Sequence, residues 1–352
     1  MSDEVFKGRG SKIAPHNPYL KRKEVAEHLE GLDEEKYTEK PVTKFYQEHA
    51  KKGLSTNDSP DLPLNYSVNP YQGCEHGCIY CYARNSHQYW GFDAGLGFET
   101  NIIVKQDIDE VLKKQFKAKN YRPQTIMLSG NTDCYQPAEK KYQLTRKILQ
   151  LCLEVSHPVS VITKNSLIQR DADIIMALAR KRLIHVYFSI NHLDSRLKAS
   201  LEPRTATGKK KIALIRQFTQ LGIPCGVMVA PIIPALNNQD ITEIIQKCAE
   251  AGALAAGYTV VRLNGNVREV FKAWIHETYP DRADKVLHQI EQLHGGKLND
   301  TEWGRRIKGN GPLATVIDQI FSSAKAKYLG GRSMPELDFS AFNANGQLKL
   351  FK

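Results

Sequence analysis

The sequence predicts an α/β protein folded as a partial (β/α)6 barrel, with an N-terminal extension and a C-terminal helical region. Three observations carry this expectation. Six short apolar runs recur from residue 63 onward, at 64–68, 125–129, 159–163, 184–189, 225–230 and 257–262. Amphipathic helical stretches lie among them at 139–155, 172–181, 210–221, 240–251 and 267–277. The joins are short, and strand–helix alternation of this kind means a parallel sheet with helices outside. Right-handed crossovers then curl six strands into an open barrel, although a doubly wound flat sheet has the same alternation. In either architecture, chemistry belongs on the loops after strand C-termini.

Taken in order, residues 1–62 are polar and broken by Pro and Gly, with one helical patch near residues 24–32. They read as an extension laid over the main domain or partly mobile. The barrel occupies 63–280, and its long first crossover holds a further strand candidate at 99–104. The helical period is plain in Lys211-Ile212-Ala213-Leu214-Ile215-Arg216-Gln217-Phe218, where apolar residues recur on one face. Residues 281–352 form more helix, clearest at 312–326, and end in a polar tail from Phe339 to Lys352. They read as a cap over the barrel or a small appendage.

The 352 residues have an ordinary apolar share and a net charge of +11. No apolar run approaches the roughly 18–20 residues that span a bilayer. The N-terminus lacks the apolar core of a signal peptide, so no membrane association and a cytoplasmic location are expected. Seven cysteines, three of them within eight residues, suit metal or redox chemistry better than a disulfide framework. Residues 1–62 carry slightly more acid than base, so the basic surplus lies downstream. It is densest at Arg196, Lys198, Arg204, Lys209, Lys210, Lys211 and Arg216. This Arg196–Arg216 segment is a candidate nucleic-acid contact through phosphates, or a solvated surface.

The decisive stretch is Asn69-Pro70-Tyr71-Gln72-Gly73-Cys74-Glu75-His76-Gly77-Cys78-Ile79-Tyr80-Cys81-Tyr82-Ala83-Arg84. It follows the first strand, on a C-terminal loop. Cys74, Cys78 and Cys81 are candidate ligands for three irons of a cubane cluster, which leaves the fourth iron free. Zinc held by these cysteines and His76 is an alternative with unusual spacing. A Cys78–Cys81 redox pair leaves Cys74 unexplained.

The C-x3-C-x2-C spacing, with an aromatic before the last cysteine, resembles the radical S-adenosylmethionine (SAM) superfamily. Within it the chain is most similar to the spore photoproduct lyase and DNA-repair-photolyase-like group, as an uncharacterised branch. Further landmarks are Ser129-Gly130-Asn131-Thr132-Asp133 before Cys134-Tyr135-Gln136-Pro137, then Thr163-Lys164-Asn165, Ser189, Glu202-Pro203-Arg204 and Ala230-Pro231. The resemblance covers about residues 60–265. It implies a [4Fe–4S] cluster, SAM chelated to its free iron, and reductive cleavage of SAM to a 5′-deoxyadenosyl radical. It also implies an external electron donor such as a flavodoxin or ferredoxin.

With SAM as cofactor, each strand end has a functional reading and a plainer one. Lys164 suits the SAM carboxylate as a flexible point charge, or is a surface lysine. Thr132 and Asp133 suit the amino-acid end, or cap the helix that follows. Ser189 suits the ribose, or bonds its own turn. Ala230 lets backbone approach the adenine, or Pro231 simply stops the strand. Tyr80 offers an aromatic face to the adenine. In the lyase relatives the places matching Tyr80, Thr132, Lys164, Ser189 and Ala230 contact SAM. Arg204 suits a carboxylate or phosphate, or pairs with Glu202 to hold its loop.

The resemblance makes Cys134 and Tyr82 the catalytic candidates. In the lyase a cysteine of the second-strand loop donates hydrogen to the substrate radical, and tyrosines relay it back to SAM. That cysteine precedes the loop's Thr-Ser-Asp, whereas Cys134 follows Asp133, so the donor is displaced or absent here. The alternative is a small buried hydrophobe. Cys152, Cys225 and Cys248 fall on helices or strands and read as core. The function expected is a radical SAM enzyme of lyase type acting on nucleic acid, as in photolesion repair. Modification of a peptide, RNA base or small metabolite keeps the same chemistry. A non-enzymatic iron–sulfur or zinc nucleic-acid-binding module is the reading of another class.

Overall fold

A computed structural model describes residues 8–20, 41–61 and 64–346. The helical patch expected near residues 24–32 and the last residues of the tail lie outside the described residues. Among the described residues there are ten strands: β1 (Lys44–Glu48), β2 (Ser55–Thr56), β3 (Tyr66–Val68), β4 (Tyr71–Gln72), β5 (Asn101–Lys105), β6 (Ile126–Leu128), β7 (Val159–Thr163), β8 (Ile184–Ser189), β9 (Cys225–Ile232) and β10 (Ala255–Val260).

The main sheet runs β10-β9-β8-β7-β6-β3-β2, with β2 an antiparallel edge and the other six strands parallel. Those six follow one another in chain order. Every crossover steps the same way, so the reversal that defines a doubly wound sheet is missing. Right-handed crossovers then keep the helices on one face, the outside of a partial barrel. β3 and β10, the first and last parallel strands, do not pair with each other among the described residues.

Periodicity explains the elements. β7 reads Val-Ser-Val-Ile-Thr, β-branched at four of five positions and mostly buried. The helix Ile241–Glu250 buries Ile241, Ile244, Ile245, Cys248 and Ala249, one helical stripe. The expected helix at 139–155 is two helices, Glu139–Tyr142 and Leu144–Glu154, parted by Gln143 at φ 53°. At the break the Glu139 carboxylate accepts from Thr145 N at 3.0 Å, which satisfies a free N–H in the first turn of the second helix. Pro231 does not stop its strand: β9 continues to Ile232, and the register with β10 shifts between Tyr258 and Val260 to absorb it.

The strand expected at 99–104 begins at Asn101 and lies in a separate sheet, β1-β5-β4, which also takes in the N-terminal strand β1. At the other end come helices Val267–Thr278, Pro280–Leu293 and Pro312–Leu329. The last is tied to the barrel by Tyr258 Oη, which donates to Asp318 at 2.7 Å. The gap between the edge strands is bridged. Asn85 Nδ2 donates to Asn264 O at 2.8 Å, and Gly304 N donates to Asp61 Oδ1 at 2.6 Å. Among the described residues no helix is long and apolar enough to cross a membrane.

Candidate active site

The cysteine loop follows β3 and β4 and is shaped by two glycines. Gly73 (φ 76°) and Gly77 (φ 68°) occupy left-handed backbone, and a Cβ at Gly73 would lie 2.5 Å from Asn101 O. Arg84, fully buried, braces the loop from inside. Its Nε donates to Cys78 O at 2.9 Å, Nη1 to Ala94 O and Gly95 O, and Nη2 to Glu99 Oε1 at 2.7 Å. Glu99 in turn accepts from Gly10 N at 2.8 Å and Ser11 N at 2.7 Å. The N-terminal segment thus straps the loop, and a Cβ on Gly10 would meet Gly77 O at 1.8 Å.

No disulfide engages Cys74, Cys78 or Cys81; the first two are buried and the third half-buried. Burial pushes all three thiols up, and for Cys74 the neighbouring charges of Asp133 and Cys81 push further. Thiolates are therefore unfavourable here unless cations hold them, as an iron cluster would. Among the described residues no three His, Cys, Asp or Glu side chains form a single-ion site. A cluster does not require one, because each thiolate binds its own iron. His76, the fourth ligand of the zinc alternative, has both ring nitrogens engaged. Nε2 accepts from Asn165 Nδ2 at 2.8 Å and Nδ1 faces Asp133 at 3.5 Å.

Beside this loop, four residues from four strand ends and loops meet. Lys164 Nζ donates to Ser189 Oγ at 2.6 Å and to Ala230 O at 3.2 Å, and lies 5.6 Å above the Tyr80 ring. The Tyr80 hydroxyl donates to Glu202, which lies 3.2 Å from Lys164 Nζ and 3.8 Å from Lys211 Nζ. Burial alone would raise the Glu202 carboxyl, but Lys164, Lys211 and His192 hold it well below the usual range. Burial lowers Lys211 to about 8 against the pull of Glu202.

The other expected residues are placed differently. Thr132 Oγ1 donates to Tyr71 O at 2.8 Å. Asp133 accepts from Thr163 Oγ1 and Lys164 N, both at 2.7 Å, and so joins the ends of β6 and β7 to the cysteine loop through His76. Arg204 lies against that loop, with its Nη1 3.3 Å from Glu75 Oε1. The Glu202–Arg204 pair does not form, because Glu202 turns inward to the lysines. Cys134 is fully buried within the main apolar core, with its backbone held by Ser129 Oγ and Thr145 Oγ1. Tyr82 is 55 % exposed on the rim, its hydroxyl donating to Gly130 O at 2.6 Å.

Three features of the site escape sequence reasoning. Arg84 and Glu99 have partners too far along the chain to be read. Glu202 pairs with lysines and not with the arginine two residues on. Lys211 sits in a basic run that reads as surface, yet it is fully buried and its Nζ donates to Ser189 O at 2.8 Å. A signal for Lys211 exists: with Leu214, Ile215 and Phe218 it forms the buried stripe of helix Gly208–Gln220. Arg196, Lys209, Lys210 and Arg216 remain exposed.

Residues 68–248, more than half of the chain, match the Radical SAM superfamily. An uncharacterised protein of Mycobacterium tuberculosis is 34% identical over 226 residues, covering 64% of this chain and 66% of that protein. The Bacillus subtilis sporulation killing factor maturation protein is 24% identical over 244 residues, covering 69% of this chain and 53% of its own length. Among solved structures, spore photoproduct lyase complexed with dinucleoside spore photoproduct superposes with a TM-score of 0.60 at 17% identity, over 82% of this chain and 80% of the lyase. A lyase mutant with bound AdoMet and the same dinucleoside gives the same TM-score, identity and coverage. With the family match running from the cysteine loop through β9, the chain belongs to the Radical SAM superfamily, although it spans just under two thirds of the length of the mycobacterial relatives it matches.

Proposed function

We propose that Cys74, Cys78 and Cys81 hold one [4Fe–4S] cluster and that Tyr80, Lys164, Ser189 and Ala230 line the SAM site next to it. The observation that supports this most is the convergence of Tyr80, Ser189 and Ala230 on Lys164 Nζ, beside the cysteine loop. When bound, the cluster and SAM would supply one-electron reductive chemistry that ends in hydrogen abstraction from a substrate. The chain's own residues position these groups. Lys164 offers its ammonium to the SAM carboxylate, Ser189 offers a hydroxyl to the ribose, and Tyr80 an aromatic face. Asp133 and His76 hold the cysteine loop against β6 and β7. In this reading residues 63–280 are the catalytic barrel, 1–62 its N-terminal extension and 281–352 its cap.

The substrate we favour is nucleic acid. The structurally similar lyase is complexed with a dinucleoside, and Arg196, Lys209, Lys210 and Arg216 give this chain an exposed basic surface. Tyr82 on the rim is the residue best placed to meet a substrate or relay hydrogen.

Anaerobic reconstitution tests the reading. About four irons and four sulfides per chain are expected for one cubane. SAM with dithionite should yield 5′-deoxyadenosine, and Lys164→Met should weaken SAM binding at normal iron content. Stoichiometric zinc without sulfide would sink the cluster assignment, and unchanged SAM affinity would remove Lys164 from the site.

A further inference from the structure

We propose that Lys211 is a positioning residue for SAM: as the standing counter-ion of Glu202, it releases Lys164 to turn to the SAM carboxylate. This rests on the reading above that Lys164 faces SAM.

Glu202 is fully buried between two lysines with different access. The Lys164 side chain is 16% exposed, whereas that of Lys211 is 0% exposed. Only Lys164 can meet a ligand. Lys211 is tied in place by Ser189 O at 2.8 Å, while Lys164 bonds the same residue through its hydroxyl at 2.6 Å. Asp133, the other nearby carboxylate, is spent on Thr163 Oγ1, Lys164 N and Tyr135 N. Glu202 therefore decides how freely the Lys164 ammonium moves.

With Lys164 as its sole cation, Glu202 would be left as an unpaired buried charge each time Lys164 turned to a ligand. An uncompensated buried carboxylate is costly enough to reduce affinity by at least about tenfold. Lys211 removes that penalty, because Glu202 keeps a partner in both positions of Lys164. The location of Lys211 supports a role beyond packing. It stands in the first turn of helix Gly208–Gln220, next to the Thr207 cap, where both the helix dipole and burial disfavour a cation. A Met or Leu at this position would avoid both penalties and complete the stripe of Leu214, Ile215 and Phe218.

The test titrates SAM into the reconstituted protein, following the EPR signal of the reduced cluster and calorimetric affinity, with iron content measured in parallel. Lys211→Met should weaken SAM binding at least about tenfold at normal iron. Glu202→Gln/Lys211→Met should restore affinity to within about threefold of wild type, since Lys164 then has no buried carboxylate to guard. A merely structural lysine gives no such rescue. Unchanged affinity in Lys211→Met, or a double variant as weak as the single, overturns the proposal. If Lys211→Met alone fails to hold iron, the neutral double variant is compared with wild type, and a loss of tenfold or more overturns it. Lys164→Met reports separately on the parent reading, because unchanged SAM binding there removes Lys164 itself.

Discussion

Replacing Arg84 by Met keeps the aliphatic stem but removes the guanidinium, and the structure sets the size of the effect. Four hydrogen bonds disappear: to Cys78 O, Ala94 O, Gly95 O and Glu99 Oε1, at 2.7–3.0 Å. Glu99 is left fully buried, with Gly10 N and Ser11 N donating to it among the described residues and the Arg9 charge near by. Breaking a buried ion pair from one side costs about 3–5 kcal/mol. For a chain of this length that corresponds to a fall in Tm of about 4–7 °C, if the chain unfolds as one unit. The cysteine loop should suffer first, because the Nε bond to Cys78 O is the direct tie, so iron content should fall with Tm. Thermal unfolding with iron analysis measures both. Arg84→Met/Glu99→Gln should recover about half of the lost stability, since the stranded charge is gone. A Tm shift below about 1 °C with full iron would refute the view that this buried pair supports the loop.

Three further outcomes are expected. Cys134→Ala should keep the cluster and SAM cleavage, and on a confirmed substrate its product pattern and deuterium uptake should match wild type, because the thiol is sealed in the core; an altered pattern would return Cys134 to the chemistry. Arg196, Lys209 and Lys210 changed together to Ala should flatten the salt dependence of nucleic-acid binding by roughly 0.9 in slope for each phosphate no longer neutralised, and an unchanged slope would make this surface merely solvated. Burial lowers His157 to about 4, against a bond to Pro158 O. In the unfolded chain this histidine protonates near 6.5 and in the folded one only near 4, so its contribution to stability is full above about pH 6.5 and is lost towards pH 4, by roughly 3 kcal/mol. Urea midpoints across that window should show the slope, and His157→Gln should lessen it while His87, lowered by burial to about 4 as well, keeps its own share; equal slopes would refute the assignment.

Much of the barrel is legible in the sequence because strand and helix periods are local. Residues 159–163 and 184–189 coincide with β7 and β8, where branched apolar residues leave no competing period. The apolar run at 257–262 starts two residues late, since β10 begins at Ala255 and small residues leave a strand start unmarked. At the Gln143 break the Glu139 carboxylate meets Thr145 N, a contact that periodicity does not carry.

The cysteine spacing and the strand-end residues Lys164, Ser189 and Ala230 are equally legible, being short-range features whose position after a strand places them on one rim. By itself, then, the sequence determined the alternation of elements, the cysteine loop and the list of groups able to face a cofactor. Tertiary structure alone decided the consecutive strand order, which separates a partial barrel from a doubly wound sheet. It alone joined Gly10 to Glu99 and Tyr80 to Glu202, pairs 89 and 122 residues apart. It also divided the basic segment, leaving Lys209 and Lys210 in solvent and turning Lys211 to a buried carboxylate. The physical reason is common to all three. Charge and hydrogen-bonding capacity belong to each residue, but which donor meets which acceptor is set by chain packing that brings distant segments together.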